Sequence, residues 1–233
     1  MGKLSFYQIF YLFRLKRNFL VLILFIFFIF IFAHSFSKHP TSNSSLIQFM
    51  VLTNTILFLY FTIFLNLDVM WNFINKEYEY LFFLQLPFKR ERIFISRWFS
   101  LFVYFSFFAS LFLLFSSIIT KKIFLSLFIF SFFEIIILLN IITLFSFLPL
   151  FHFTLFGFIL FIFVGTLLRG NIFEFGTRFK ILEILFKIVG ILLPPFDNLL
   201  IGEFSFYDIG SLLIYVFLLF LLEIFLSKKH QFL

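Results

Sequence analysis

Apolar residues in this chain fall into long unbroken runs, and the polar positions collect in a few short breaks between them. Asn18 to Phe36, Leu46 to Leu67, Trp98 to Ile119 and Ile209 to Leu226 are each close to the roughly 20 apolar residues needed to cross a bilayer as a helix. From Ile123 to Leu168 there is no Lys or Arg and one acid, Glu134, which is too long for one helix. Pro149, between Ser146 and His152, marks a hairpin there and predicts spans over 123–146 and 150–168. The pattern therefore predicts an all-α polytopic membrane protein with six transmembrane helices and a single transmembrane domain over 1–233.

Three stretches depart from the run-and-break pattern. Leu4 to Arg17 places apolar residues at helical spacing and ends in Arg14, Lys16 and Arg17, so an interfacial elbow helix over 4–17 is expected. Ile181 to Leu193 is apolar but only about two-thirds of a span, and Pro194-Pro195 stops it. It predicts a re-entrant or interfacial segment over 181–195, with Glu183 and Lys187 one turn apart. The third is the 30 residues from Asp68 to Arg97, the longest charged stretch of the chain.

Composition leaves little room for anything but membrane. Hydrophobic residues are 63% and charged residues 12% of 233, too few polar groups to clothe a soluble globule. The 50 Phe carry no functional weight, because Phe, Leu and Ile are near-equivalent in lipid. With no cysteine there is no disulfide, thiolate catalysis or cysteine metal site. His34, His39, His152 and His230 share no ligand spacing, so no metal or other cofactor is expected. A cleaved secretory signal ending near Ala33-His34-Ser35 is the rival reading of the first run. Its bulky aromatics, its length and the distance of the basic cluster from Met1 favour an anchor.

Basic residues orient the chain. With the N-terminus inside, Lys3, Arg14, Lys16, Arg17, Lys76, Lys89, Arg90, Arg92, Arg97, Lys228 and Lys229 lie on the cytoplasmic side, eleven of 18. The seven others, Lys38, Lys121, Lys122, Arg169, Arg178, Lys180 and Lys187, lie outside. The bias places both termini in the cytoplasm of a multi-pass protein of the cell membrane. The net charge of +7 then reads as topology and contact with anionic lipids, with no nucleic-acid partner needed.

The Asp68 to Arg97 loop is far longer than a connection requires. Glu77 and Glu79 precede an apolar patch of Leu81, Phe82, Phe83, Leu84 and Leu86; Pro87 breaks it; Lys89, Arg90, Arg92 and Arg97 then interleave with Phe88, Ile93, Phe94 and Ile95. Such a segment can dock its apolar patch on a partner while its charges meet a complementary surface. It can equally be basic residues obeying the positive-inside rule beside extended spans. Glu134 near the middle of span four is a costly intramembrane carboxylate and a candidate for substrate contact or coupling. Glu223, near the end of span six, can snorkel to the inner surface.

The order Glu77, Leu81, Leu84, Leu86-Pro87, Lys89-Arg90 and Arg97 resembles the first cytoplasmic loop of type-2 ATP-binding-cassette transporter permeases, usually a Glu…Leu-Leu-x-x-Pro-Ile-Ser-Arg…Lys pattern. Phe88-Lys89 stands where Ile-Ser or Val-Ser is commoner, and Arg97 where Lys is usual. The elbow, the six spans and the Pro-ended piece before the last span are also similar to that family. The resemblance implies a permease subunit of an exporter that is not itself an enzyme, paired with itself or with a second permease. It also implies a separate ATPase partner seated on a coupling loop carried by Glu77, Glu79, Leu84, Pro87, Lys89, Arg90, Arg92 and Arg97. In keeping with this, the chain has no Gly-x-x-x-x-Gly-Lys-Ser/Thr phosphate loop.

Two alternatives stand beside it. One is a haem-exporter permease, to which His34 and His39 lend support. The other, an intramembrane enzyme, needs paired Glu, a Gly-x-Ser-Gly serine or several Asp in spans, none of which is present. Reporter fusions after Ser42, Glu91, Lys122 and Lys229 are expected to read out, in, out and in; an extracellular signal at Glu91 would overturn the whole orientation.

Overall fold

The structure, a computed structural model, describes residues 2–38, 44–75, 90–148, 151–152, 154–159 and 206–229. Seven helices account for most of these: α1 Gly2–Arg14, α2 Asn18–Lys38, α3 Ser44–Leu65, α4 Leu67–Asn75, α5 Arg90–Thr120, α6 Leu125–Ser146 and α7 Phe206–Lys229. No strand occurs among the described residues. Asn18–Lys38, Leu46–Leu65, Glu91–Thr120 and Leu125–Ser146 are long and apolar enough to cross a membrane. Within α7, Leu213–Ser227 forms a shorter apolar stretch. Most of the expected fifth span and all of the 181–195 segment lie outside the described residues, as do residues 76–89 of the loop.

Local chemistry sets the breaks. α1 stops at Arg14, and the Asn18 side-chain amide then donates to the Leu12 carbonyl at 2.7 Å, satisfying one of the carbonyls a helix end leaves open. Asn66 separates α3 from α4 while its backbone bonds continue the spiral on both sides, Asn66 N to Ile63 O and Met70 N to Asn66 O, both 2.9 Å. α5 ends at Lys121, which takes the left-handed backbone at φ 54°, with Lys122 N reaching back to Ser117 O at 3.2 Å. That reversal starts α6 after only four residues, which forces α5 and α6 into an antiparallel hairpin.

α5 is the post of the bundle. At 31 residues it is about 46 Å long, some 16 Å more than the hydrocarbon thickness. It touches every other described helix. α2 and α3 pair antiparallel, with Phe25 and Phe28 against Phe58 at ring-centroid distances of 5.8 and 6.0 Å, and Phe58 stacks on Phe112 of α5 at 5.3 Å. α6 returns along α5, bringing Phe147 to Phe94 at 5.7 Å. α7 lies against both, and α1 runs along the first half of α5. α6 is 59% buried over its apolar window and α2 only 17%, so α2 sits at the periphery with its apolar side chains turned outward.

The third span was expected to start at Trp98, but α5 runs unbroken from Arg90. Arg90, Glu91, Arg92 and Arg97 are helix formers, so charge at a bilayer boundary does not interrupt the helix. Residues 154–159 return to helix beside the end of α6, where Ser146 Oγ lies 3.2 Å from Thr154 Oγ1. Gly157 is there because nothing larger fits. A Cβ on it would stand 2.4 Å from Phe145 Cδ2 and 2.9 Å from Phe145 Cβ. Gly157→Ala should therefore lower stability in detergent by about 1–3 kcal/mol, the usual range for overpacking. A thermal unfolding series checks this, and an unchanged midpoint would show that Phe145 yields freely.

Candidate functional site

The end of the bundle formed by α1, α4 and the first half of α5 gathers many of the interhelical polar contacts among the described residues. Ser5 and Gln8, one turn apart on α1, meet Ser96 and Ser100, one turn apart on α5. Ser5 Oγ and Ser96 Oγ are 2.9 Å apart, and Ser96 Oγ donates to Gln8 Oε1 at 2.9 Å. Ser100 Oγ donates to the Ser96 carbonyl at 2.7 Å. All four side chains are buried, while Phe6, Tyr7 and Phe10 on the other face of α1 are exposed. The helix thus turns its polar residues inward and its aromatics outward, the reverse of a soluble amphipathic helix. Phe13 closes this seam against Tyr104 and Phe107 at 5.2 and 5.1 Å.

The next contacts tie the spans at the same end. Tyr104 donates to Asn18 Oδ1, and Arg17 pairs with Asp68 while also donating to the Leu65 carbonyl at 3.3 Å. Arg17 immediately precedes α2 and Asp68 lies in the first turn of α4, so the ion pair fastens the open end of the α2–α3 hairpin. On the other side of α5, Trp98 Nε1 donates to Asn140 Oδ1 at 2.9 Å, and the Asn140 amide donates to the Val216 carbonyl at 3.4 Å. One asparagine therefore bridges α5, α6 and α7. Farther along α6, Glu134 is 8% exposed and accepts the Tyr60 hydroxyl at 2.7 Å, joining α3 to α6.

The residues expected to form the coupling loop divide three ways. Glu77, Glu79, Leu84, Pro87 and Lys89 lie outside the described residues. Arg90 opens α5, and Arg92 on its first turns is exposed. Arg97 is 3% exposed, about 140° around the helix from Arg92. It begins a buried stripe with Leu101, Phe105, Phe108 and Phe112. Arg92 and Arg97 thus do not share a face: one is offered outward and the other belongs to the packed interior.

The remaining candidates are plain. His34 is exposed and stacks on Phe30 at 6.2 Å, His152 is exposed, and His39 and His230 lie outside the described residues. No group of three or more His, Cys, Asp or Glu able to hold a metal occurs among the described residues. Sequence reasoning passed over Ser5, Gln8, Asn18, Asp68, Ser96, Ser100 and Asn140. Their signal was available: Ser96, Ser100 and Tyr104 recur every fourth residue in an otherwise apolar run. The chain matches no family model, no curated protein and no solved structure.

Tyr60 and Glu134 offer a direct measurement of what such a bond is worth in this bundle. Interhelical hydrogen bonds in membranes contribute about 0.6–2 kcal/mol. A double-mutant cycle of Tyr60→Phe and Glu134→Leu should give a coupling in that range. Equal effects of Tyr60→Phe in both backgrounds would mean that the two side chains do not interact.

Proposed function

We propose that this chain is the membrane-spanning permease subunit of an ATP-binding-cassette exporter, driven by ATP hydrolysed on a separate ATPase chain docked at the Asp68 to Arg97 loop. In this reading the protein lies in the cell membrane with both termini in the cytoplasm and works as a dimer, with itself or with a sister permease. Anionic lipids meet its basic inner side. The observation that carries the reading is the loop itself: acidic pair, leucine-rich patch, Leu86-Pro87, and a basic run between two spans. The course of α5 supports it, because the basic end of the loop is continuous with the third span as one 31-residue helix.

That continuity gives the proposal a mechanism. A groove on the ATPase takes the apolar patch, with Lys89, Arg90 and Arg92 against acidic residues around it. When two ATPases close on ATP, the displaced loop tilts α5 as a rigid rod. α1 follows through Ser5 and Gln8, and α6 and α7 follow through the Trp98, Asn140 and Val216 contacts. The spans then shift as groups, and substrate passes through or along the dimer seam. Glu134, held by Tyr60, is the carboxylate in this region available for substrate contact or coupling.

Arg90→Glu with Arg92→Glu replaces attraction by like-charge repulsion at the docking surface, a change worth several kcal/mol at an interface. Membrane insertion is expected to survive, while co-purification with the ATPase and transport-linked ATP hydrolysis are lost. Retained partner binding by the double variant would return the loop to a charged tether.

A further inference from the structure

Glu223 is the one acid of α7 whose surroundings contradict the snorkelling expected of it. Its residue is 0% exposed, and neither carboxylate oxygen has a hydrogen-bond partner among the described residues. The position follows from the helix. Val216, Phe220, Glu223 and Ser227 fall on one stripe of α7 at steps of four, three and four residues, and this stripe is the packed one. The Val216 carbonyl accepts from Asn140 of α6, and Phe220 meets Trp98 of α5 at 5.1 Å. Ser227, one turn beyond, is also buried, but its hydroxyl donates to the Ile224 carbonyl at 2.7 Å. The charged residues that α5 and α6 carry are Arg90, Glu91, Arg92, Arg97 and Glu134, and none of the last four forms an ion pair with Glu223.

We propose that Glu223 is a proton-binding site, carrying its proton while α7 is packed on α5 and α6 and releasing it when α7 moves away. An ionised carboxylate buried without hydrogen bonds or a counter-charge costs several kcal/mol, so the sealed interface requires a neutralising ligand. The proton is the ligand that demands no space, and a face closed to solvent leaves none for a hydrated metal ion. Any motion that parts α7 from α5 and α6 admits water to the carboxyl, which then ionises and gives the proton to that water. Proton occupancy and the position of α7 are thereby linked. The proposal stands independently of the transport reading.

The test uses the full chain in membranes at neutral pH, treated with dicyclohexylcarbodiimide, an apolar reagent for protonated carboxyls. The carboxyl proton moves to a carbodiimide nitrogen, the carboxylate oxygen adds to the central carbon, and the acyl group migrates to nitrogen as a stable N-acylurea. Mass spectrometry should find this adduct at Glu223, absent in Glu223→Gln and unaffected by excess sodium or potassium chloride. Protection by either cation would make this a metal-ion site. Coupling of Glu223 to glycine ethyl ester through a water-soluble carbodiimide would show a hydrated carboxylate, and both results overturn the proposal. A second measurement does not depend on reagent access. Glu223→Gln, a neutral isostere, should keep the thermal midpoint in detergent within about 2 °C of the parent, and a larger drop overturns the proposal.

Discussion

One helix longer than the bilayer is thick governs the rest of this molecule. α5 exceeds a typical hydrocarbon core by about 16 Å, so its first ten or so residues have no lipid to lie in and must be covered by protein or water. α1 and α4 supply part of that cover. Because α5 also lines α2, α3, α6 and α7, the covered extension and the spans share one rigid element. A displacement at Arg90 is felt at Phe112 without passing through a hinge.

Inside the bilayer the usual driving force between helices is missing, since lipid tails are as apolar as Leu or Phe. Association then rests on close packing and on the few polar side chains that find partners across helices. Packing here is largely aromatic: Phe25, Phe58 and Phe112 meet edge-to-face or stacked at 5.3 to 6.3 Å, geometries that add to simple contact. The polar side chains choose which faces meet. Ser96, Ser100 and Tyr104 select the face of α5 for α1, and Asn140 selects the meeting line of α5, α6 and α7.

The same division explains what was legible in the sequence. Four of the six expected spans lie on helices long and apolar enough to cross a membrane, because a run of apolar residues is a strong signal in one dimension: 18–36 became Asn18–Lys38, 46–67 became Ser44–Leu65 with a turn at Asn66, 98–119 lies within Arg90–Thr120, and 123–146 became Leu125–Ser146. Helix faces were not readable, because spans apolar on every side carry almost no periodicity and lipid and protein surfaces look alike. The helix that carries the third run starts eight residues before Trp98, since hydropathy marks where lipid ends and says nothing of where a helix ends. Glu223 was misjudged for a related reason. Its nearness to the polar tail suggested an exit to water, but helical phase put it on the packed stripe with Val216 and Phe220.

Helical phase also decides how the basic run after Pro87 can act. In linear sequence Lys89, Arg90, Arg92 and Arg97 form one cluster, and a charge count treats them alike. On α5, Arg92 faces outward, while Arg97 sits at the head of a stripe that continues through Leu101, Phe105, Phe108 and Phe112 into the core. Truncating Arg97 removes packing as well as charge. Arg97 therefore belongs to the packing that holds α5 in place, and Arg92 to its exposed face.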